Sequence, residues 1–142
     1  MATIVVGVDG SEPAGRAVEW CARHAGGLGA DVLVVHAVDI PIAGSPGLGY
    51  APLPPLTATE RADITALVHD RWSATLIESG VPYRVEVVDG PAATAITNAA
   101  RQSAAELVVV GRRGRGGFAE LLLGSTSHHL SHHLDRPLVI VP

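Results

Sequence analysis

Five short apolar runs separated by helix-patterned segments predict an α/β protein. The expected architecture has three layers, α/β/α, around a five-stranded parallel sheet wound in the Rossmann manner. Three observations carry that prediction. First, four of the five runs, at 3–8, 32–38, 83–88, 106–110 and 137–141, are rich in valine or isoleucine. The first, fourth and fifth scarcely alternate with polar residues, which suits strands buried on both faces. Second, the order β-α-β-α-β-α-β-α-β calls for right-handed crossovers. Third, 142 residues with 47% hydrophobic content suit one domain over 1–142.

The first helical pattern runs over about 13–28. Ala14, Ala17, Val18, Cys21, Ala22 and Ala25 repeat at the spacing of one apolar face. Pro13 suits a first turn, and Gly26-Gly27 suits the end. The second begins at Thr57-Ala58-Thr59-Glu60, which reads as a capping box. Ile64, Leu67, Val68, Trp72 and Leu76 supply its apolar stripe, and Ser79-Gly80 before Pro82 closes it. The third starts near Pro91 with Ala92, Ala95, Ile96, Ala99 and Ala100, small residues that allow close approach to a sheet. The fourth starts near Ser125 and ends before Pro137. One segment breaks the rhythm: 40–55 holds five prolines and three glycines in sixteen residues. It is read as a lid or a poorly ordered excursion, being long for a loop in so small a domain.

Composition excludes several classes. The net charge of −4 argues against non-specific binding to nucleic acid. All ten basic side chains are arginine, which reads mainly as codon bias, although arginine is also the better bidentate partner for phosphate. No apolar run approaches a membrane span. The start lacks the charged region and cleavage site of a signal peptide. Cys21 is the single cysteine, so no internal disulfide forms. The expected location is therefore the cytoplasm.

In doubly wound sheets ligands bind beyond the carboxyl ends of the strands, where strand order reverses. The first strand leads into Asp9-Gly10-Ser11. A carboxylate there is placed to meet a ribose hydroxyl or a magnesium ion, but Asp-Gly-Ser is also ordinary turn and cap chemistry. The second strand ends at Val38-Asp39, where exposed backbone groups can pair with a purine edge. The fourth leads into GRRGRGG, with four glycines in residues 111–117. These open backbone conformations closed to other residues and expose amides for an anion nest. Further on, Gly124-Ser125-Thr126-Ser127 opens a helix whose free N–H groups favour a phosphate. The Ser125 hydroxyl can donate to that phosphate or cap the helix. GxxxxGK[ST] is absent, and the first strand carries no GxGxxG.

These features together resemble the ATP-binding subgroup of the universal stress proteins. The subgroup pattern is glycine, two residues, glycine, nine residues, then glycine and serine or threonine. Gly111, Gly114, Gly124 and Ser125 match it at that spacing. VGVDGSEPA, HAVD, ELVVVGRRGRGG and PLVIVP fit as well, so the likeness covers the chain apart from 40–55. Thr126 stands where valine is usual. The resemblance implies the adenine nucleotide alpha hydrolase-like fold and an ATP site with magnesium carried by the nucleotide. Asp9 and Gly10 would face the ribose and Val38 the adenine. Gly111, Arg112, Gly114 and Arg115 would follow the ribose and phosphates, and Gly124, Ser125 and Thr126 would hold the phosphate end. It also implies a homodimer through the last strand, 137–141. An edge as apolar as Leu138-Val139-Ile140-Val141 needs cover, unless its own helix masks it. Nucleotide would alter the glycine-rich loop or the 40–55 lid, and an unidentified protein partner would read that change. A slow ATPase and a nucleotide-free dimeric scaffold are the alternatives.

His128, His129, His132 and His133 form two i,i+4 pairs, a spacing able to bind zinc or nickel. No carboxylate or cysteine motif completes a shell nearby in sequence. The four therefore read as partly exposed helix-end histidines, favoured near a C-terminal dipole when protonated, and no metal site on the protein itself is expected. Trp20, Trp72 and Cys21 read as packing residues, and His36 as structural or as a pocket wall. No nucleophile–base pair is apparent, so binding without efficient turnover is expected.

Overall fold

The structure is a computed structural model that describes residues 1–39, 42–45, 47, 49–52, 54–113 and 123–142. Its main sheet joins β1 (Ala2–Gly7), β2 (Ala30–Val38), β5 (Tyr83–Asp89), β6 (Leu107–Gly111) and β7 (Leu138–Val141). The spatial order is β5-β2-β1-β6-β7, and every pairing is parallel. The predicted α/β fold with five parallel strands is therefore what the chain adopts. The crossover helices are α1 (Glu12–His24), α2 (Ala58–Leu67), α3 (Ala74–Ser79), α4 (Ala92–Gln102) and α5 (Ser125–His133).

The strand alternation splits the interior in two. Ile4 and Val6 of β1, Val32 and Val34 of β2, and Val109 of β6 face α1, where Ala17, Val18 and Cys21 meet them. Val5, Leu33, Val35, Val108 and Val110 face the other way, onto Ala95, Ile96, Ala99 and Ala100 of α4 and Leu130 of α5. β1 lies mid-sheet with both faces covered, so Ile4, Val5 and Val6 have no exposure at all. That explains why its sequence barely alternates.

Helix boundaries follow the local chemistry. Ser11 caps α1 by accepting from the Ala14 N–H, and Thr57 caps α2 by accepting from Glu60. Gly80, in the left-handed region at φ 71°, ends α3. Between α2 and α3 the chain makes one π-helical turn, Val68–Trp72. The reason is legible in the stripe. Ile64, Val68, Trp72 and Leu76 repeat every four residues, a spacing that drifts around a 3.6-residue helix. One wider turn restores the stripe to the core, where Val68 and Leu76 are fully buried. Buried Ser73 donates its hydroxyl to the Val68 carbonyl at 2.8 Å.

The proline-rich 40–55 stretch, expected to be a lid or an excursion, contains an antiparallel pair, β3 (Ile42–Ser45) and β4 (Gly49–Pro52). No alternation signalled these strands. At the other end of the sheet, α1 and α5 pack against β7. All four β7 residues are half-buried.

One close approach fixes how β6 sits against α1. A Cβ on Gly111 would lie 2.6 Å from the Pro13 carbonyl carbon and 2.8 Å from the Ala14 nitrogen. Both are backbone atoms at the start of α1 and cannot swing aside. Gly111→Ala is therefore expected to destabilise the fold by about 1–3 kcal/mol, seen as a Tm several degrees lower in a thermal melt. Gly7→Ala meets the flexible Ile96 Cδ1 instead, and should lower Tm less. Equal losses for the two variants would contradict this account.

Candidate functional site

From β1 the chain crosses to β2, whereas from β6 it crosses to β7 on the opposite side. The switch point of the sheet thus lies between the carboxyl ends of β1 and β6, which are hydrogen-bonded neighbours. Asp9 and Gly10 follow the first strand, and Gly111 and Arg112 end the second. Both groups of predicted site residues lie at this one edge of the sheet.

The turn after β1 is rigid. The Val8 N–H donates to Val35, extending the pairing beyond β1, and the Val8 carbonyl accepts from His36 Nδ1–H at 2.8 Å. His36 is thereby a structural histidine, and Trp72 meets it edge-on at 5.0 Å. Gly10 has φ 80°, a conformation side chains strain to adopt. Asp9 Oδ1 accepts from the Ser11 N–H at 3.0 Å and from its hydroxyl at 2.5 Å. The turn-former reading of Asp9 is therefore realised in its contact with Ser11, which also orients the carboxylate at the strand end.

Beyond β6 the main chain of Arg112 joins three elements. Its N–H donates to the Val141 carbonyl at 2.6 Å, and its carbonyl accepts from the Gly124 N–H at 2.7 Å. The same carbonyl accepts from the Ser127 hydroxyl at 2.8 Å. Residues 112 and 124 are thus tied together at the base of the glycine-rich segment. Ser127 is 2% exposed; the sequence places it in the helix-opening Gly124-Ser125-Thr126-Ser127 run but gives it no role in this tie. The N–H and carbonyl of Arg112 are both engaged, while its side chain is exposed. Gly114 and Arg115 lie outside the described residues.

Gly124 is the N-cap of α5, in extended conformation, and no side chain caps the helix. Of the two roles open to Ser125, capping is not the one adopted. The first intrahelical bond runs from the His128 N–H to Gly124. The amides of Ser125, Thr126 and Ser127 consequently have no acceptor within the helix. At the end of β2, the Val38 carbonyl accepts from the Gly90 N–H at 2.8 Å, which leaves it a second lone pair.

A cleft of about 220 Å³ opens beside the Asp9 turn. Gly10 and Ser11 form one wall with Glu19 of α1, and Arg71 and Trp72 form the other. Trp72, read from sequence as a packing residue, is half-buried against the core and also lines this cleft. Cys21 plays no part in chemistry at the site. It is buried, and desolvation pushes its thiol up to about 12, so it stays protonated at neutral pH. Among the described residues no helix is long and apolar enough to cross a membrane.

A model of the family described as "Universal stress protein family" matches residues 1–142. Universal stress protein Rv2005c of Mycobacterium tuberculosis is 31% identical over 140 residues, which cover 98% of this chain and 45% of that protein. The chain therefore spans about half the length of the curated relatives it matches. UspA of Lactobacillus plantarum superposes with a TM-score of 0.78 at 20% identity, covering 99% of this chain and 97% of that one. A universal stress protein solved in complex with cAMP gives 0.72 at 25% identity, covering 99% and 95%. The universal stress protein of Archaeoglobus fulgidus in complex with dAMP gives 0.72 at 17% identity, covering 100% and 98%. Solved neighbours of this fold thus include structures that hold adenine nucleotides.

The tie at Arg112 generates a direct expectation. Ser127→Ala removes one of two bonds to a single carbonyl, a loss of about 1 kcal/mol. The Gly124 amide should then exchange with deuterium about fivefold faster, because opening of its bond to Arg112 becomes easier. Unchanged protection at Gly124 would show that Ser127 does not support the loop base.

Proposed function

The chain belongs to the universal stress protein family, and from that premise we propose that it is an ATP-binding module. It takes up the nucleotide with magnesium and conveys its state to a protein partner in a stress response. The observation that carries this reading is the start of α5. Its first-turn amides, at Ser125 and Thr126, lack a helical acceptor, and no side chain caps them. A phosphate is the acceptor that such a helix end favours most.

The other roles follow from position. Asp9 and Gly10 stand at the neighbouring strand end, within the nucleotide's span, and the oriented carboxylate suits a ribose hydroxyl. Magnesium would approach Asp9 through the phosphates it already binds. The backbone at Val38 suits the adenine edge. Gly111 lets the chain pass close to α1 on its way to the phosphates, and the Arg112 side chain offers them positive charge. Gly114 and Arg115 complete the proposed cradle. The adenine and a single phosphate are what the cAMP and dAMP complexes of similar proteins have in common. The step to a triphosphate rests on the spacing of Gly111, Gly114, Gly124 and Ser125.

The reading is one of binding rather than efficient turnover. In-line phosphoryl transfer needs a positioned water or nucleophile and a base. Asp9 is engaged with Ser11, and the buried thiol of Cys21 is protonated. A nucleotide that only binds must work by preferring one conformation of the protein, which the partner then recognises.

We also propose a homodimer through β7. Val108 N–H donates to Pro137, and Arg112 N–H donates to Val141. With the two-residue period of a strand, the backbone groups of Leu138 and Ile140 therefore point to the outer edge. A two-fold pairing of that edge would satisfy them.

Two measurements test these readings. Calorimetry with ATP and magnesium should show binding that Asp9→Ala weakens about tenfold, a loss near 1.4 kcal/mol. Absence of binding up to millimolar ATP in the unaltered chain would overturn the nucleotide reading. Ile140→Pro removes an outward donor while sparing the bonds to β6. Sedimentation should then report a monomer with an unchanged circular dichroism spectrum; a persisting dimer would place the interface elsewhere.

A further inference from the structure

The four histidines of α5 stand apart from the proposed nucleotide site and have no role in it. All four are exposed. Their rings pair along the helix at i,i+4. His128 and His132 have centroids 4.8 Å apart, and His129 and His133 have centroids 4.4 Å apart. The cross distance from His132 to His133 is longer, at 6.4 Å. Among the described residues no group of three or more His, Cys, Asp or Glu gathers as a metal shell. The nearby Asp135 carboxylate is held by Arg101 and Arg136. Any site here is therefore made by two imidazoles at a time.

The separations can be compared with what chelation requires. With a metal–nitrogen bond of about 2.0 Å, a ring centroid sits roughly 3.2 Å from a bound ion. Two ligands at right angles then place their centroids roughly 4.5 Å apart, and two at the tetrahedral angle roughly 5.2 Å apart. The observed 4.4 Å falls at the right-angled end, and 4.8 Å lies between the two. Right-angled nitrogen pairs are the preference of tetragonal copper(II) and of nickel(II), whereas zinc favours the tetrahedral angle. An i,i+4 pair on a helix is moreover held in register by the backbone, so little ordering opposes chelation.

We propose that α5 carries two adjacent two-histidine sites for a divalent transition metal of the copper(II) or nickel(II) class. One is His128 with His132, and the other is His129 with His133. Water fills the remaining coordination positions. Each bound ion staples one turn in the C-terminal half of the helix whose N-terminus is the proposed phosphate site. The metal sites do not depend on nucleotide binding.

The test uses the full untagged chain without nucleotide, in a non-coordinating buffer. Titration with copper(II), nickel(II) and zinc(II) chlorides should give about two copper or nickel ions per chain, with affinity falling from copper to nickel to zinc. His132→Gln and His133→Gln should each lose about one ion. The double variant should lose both, together with retention on a nickel-charged matrix. These exposed substitutions are expected to leave the circular dichroism spectrum unchanged. His24→Gln, which alters a histidine on α1, should bind as the parent does. Binding that survives the double variant would overturn the proposal. So would loss of both ions from one substitution, or zinc held more tightly than nickel.

Discussion

The main chain of Arg112 is the joint on which the rest of the structure depends. One peptide unit secures the end of β7 through Val141, and the next closes the base of the glycine-rich segment through Gly124 and Ser127. These bonds place three features at once: the outermost strand, the mouth of the loop, and the direction in which α5 begins. Ser127 is buried, and its hydroxyl reaches both the Arg112 carbonyl and, at 3.2 Å, the Gly124 carbonyl. Were the joint open, the first-turn amides of α5 would no longer be aimed beside the strand ends, and the proposed phosphate site would have no fixed geometry.

A second constraint is the closeness of the layers. Helix α4 reaches the sheet through alanines and Ile96, and α1 does so through alanines, Val18 and Cys21. Small side chains bring the helix axes near the strands, so glycine becomes necessary where the backbones themselves meet. Gly111 is such a place. Its glycine serves packing against Pro13 and Ala14 as much as any ligand. The same economy of space shows in the π-helical turn at Val68–Trp72, where a four-residue stripe is kept on the core by widening one turn. Trp72, at the end of that turn, both packs against the core and lines the cleft beside the Asp9 turn.

The fold was largely legible because its signals are local and repeated. Unbroken valine runs mark strands with two buried faces, and Ser11, Thr57 and Gly80 mark helix ends through contacts within a few residues. The β3–β4 pair was not legible, since prolines and glycines hide strand periodicity. The site was legible in part. Of the residues the sequence singled out, Asp9, Gly111, Gly124 and Ser125 lie at or beside the carboxyl ends of β1 and β6. The bond from Ser127 to Arg112, the cleft position of Arg71 and the cleft face of Trp72 gave no signal, because such neighbours are not local in sequence.

By itself the sequence determined the order of the five main-sheet strands and of the helical segments between them, their apolar faces, the caps at Ser11 and Thr57, and the family pattern, all of which follow from side-chain period and local hydrogen bonding. Tertiary structure decided between roles that local chemistry left equal. Ser125 does not cap α5, because Gly124 occupies the cap and Ser127 ties it down. Asp9 both shapes its turn and stands at the strand end. His36 serves the backbone of Val8. The four histidines became two pairs rather than one shell, because ring separation is set by the helix surface and by what packs around it. Such choices depend on which distant group arrives within hydrogen-bonding distance, and only the folded chain brings those groups together.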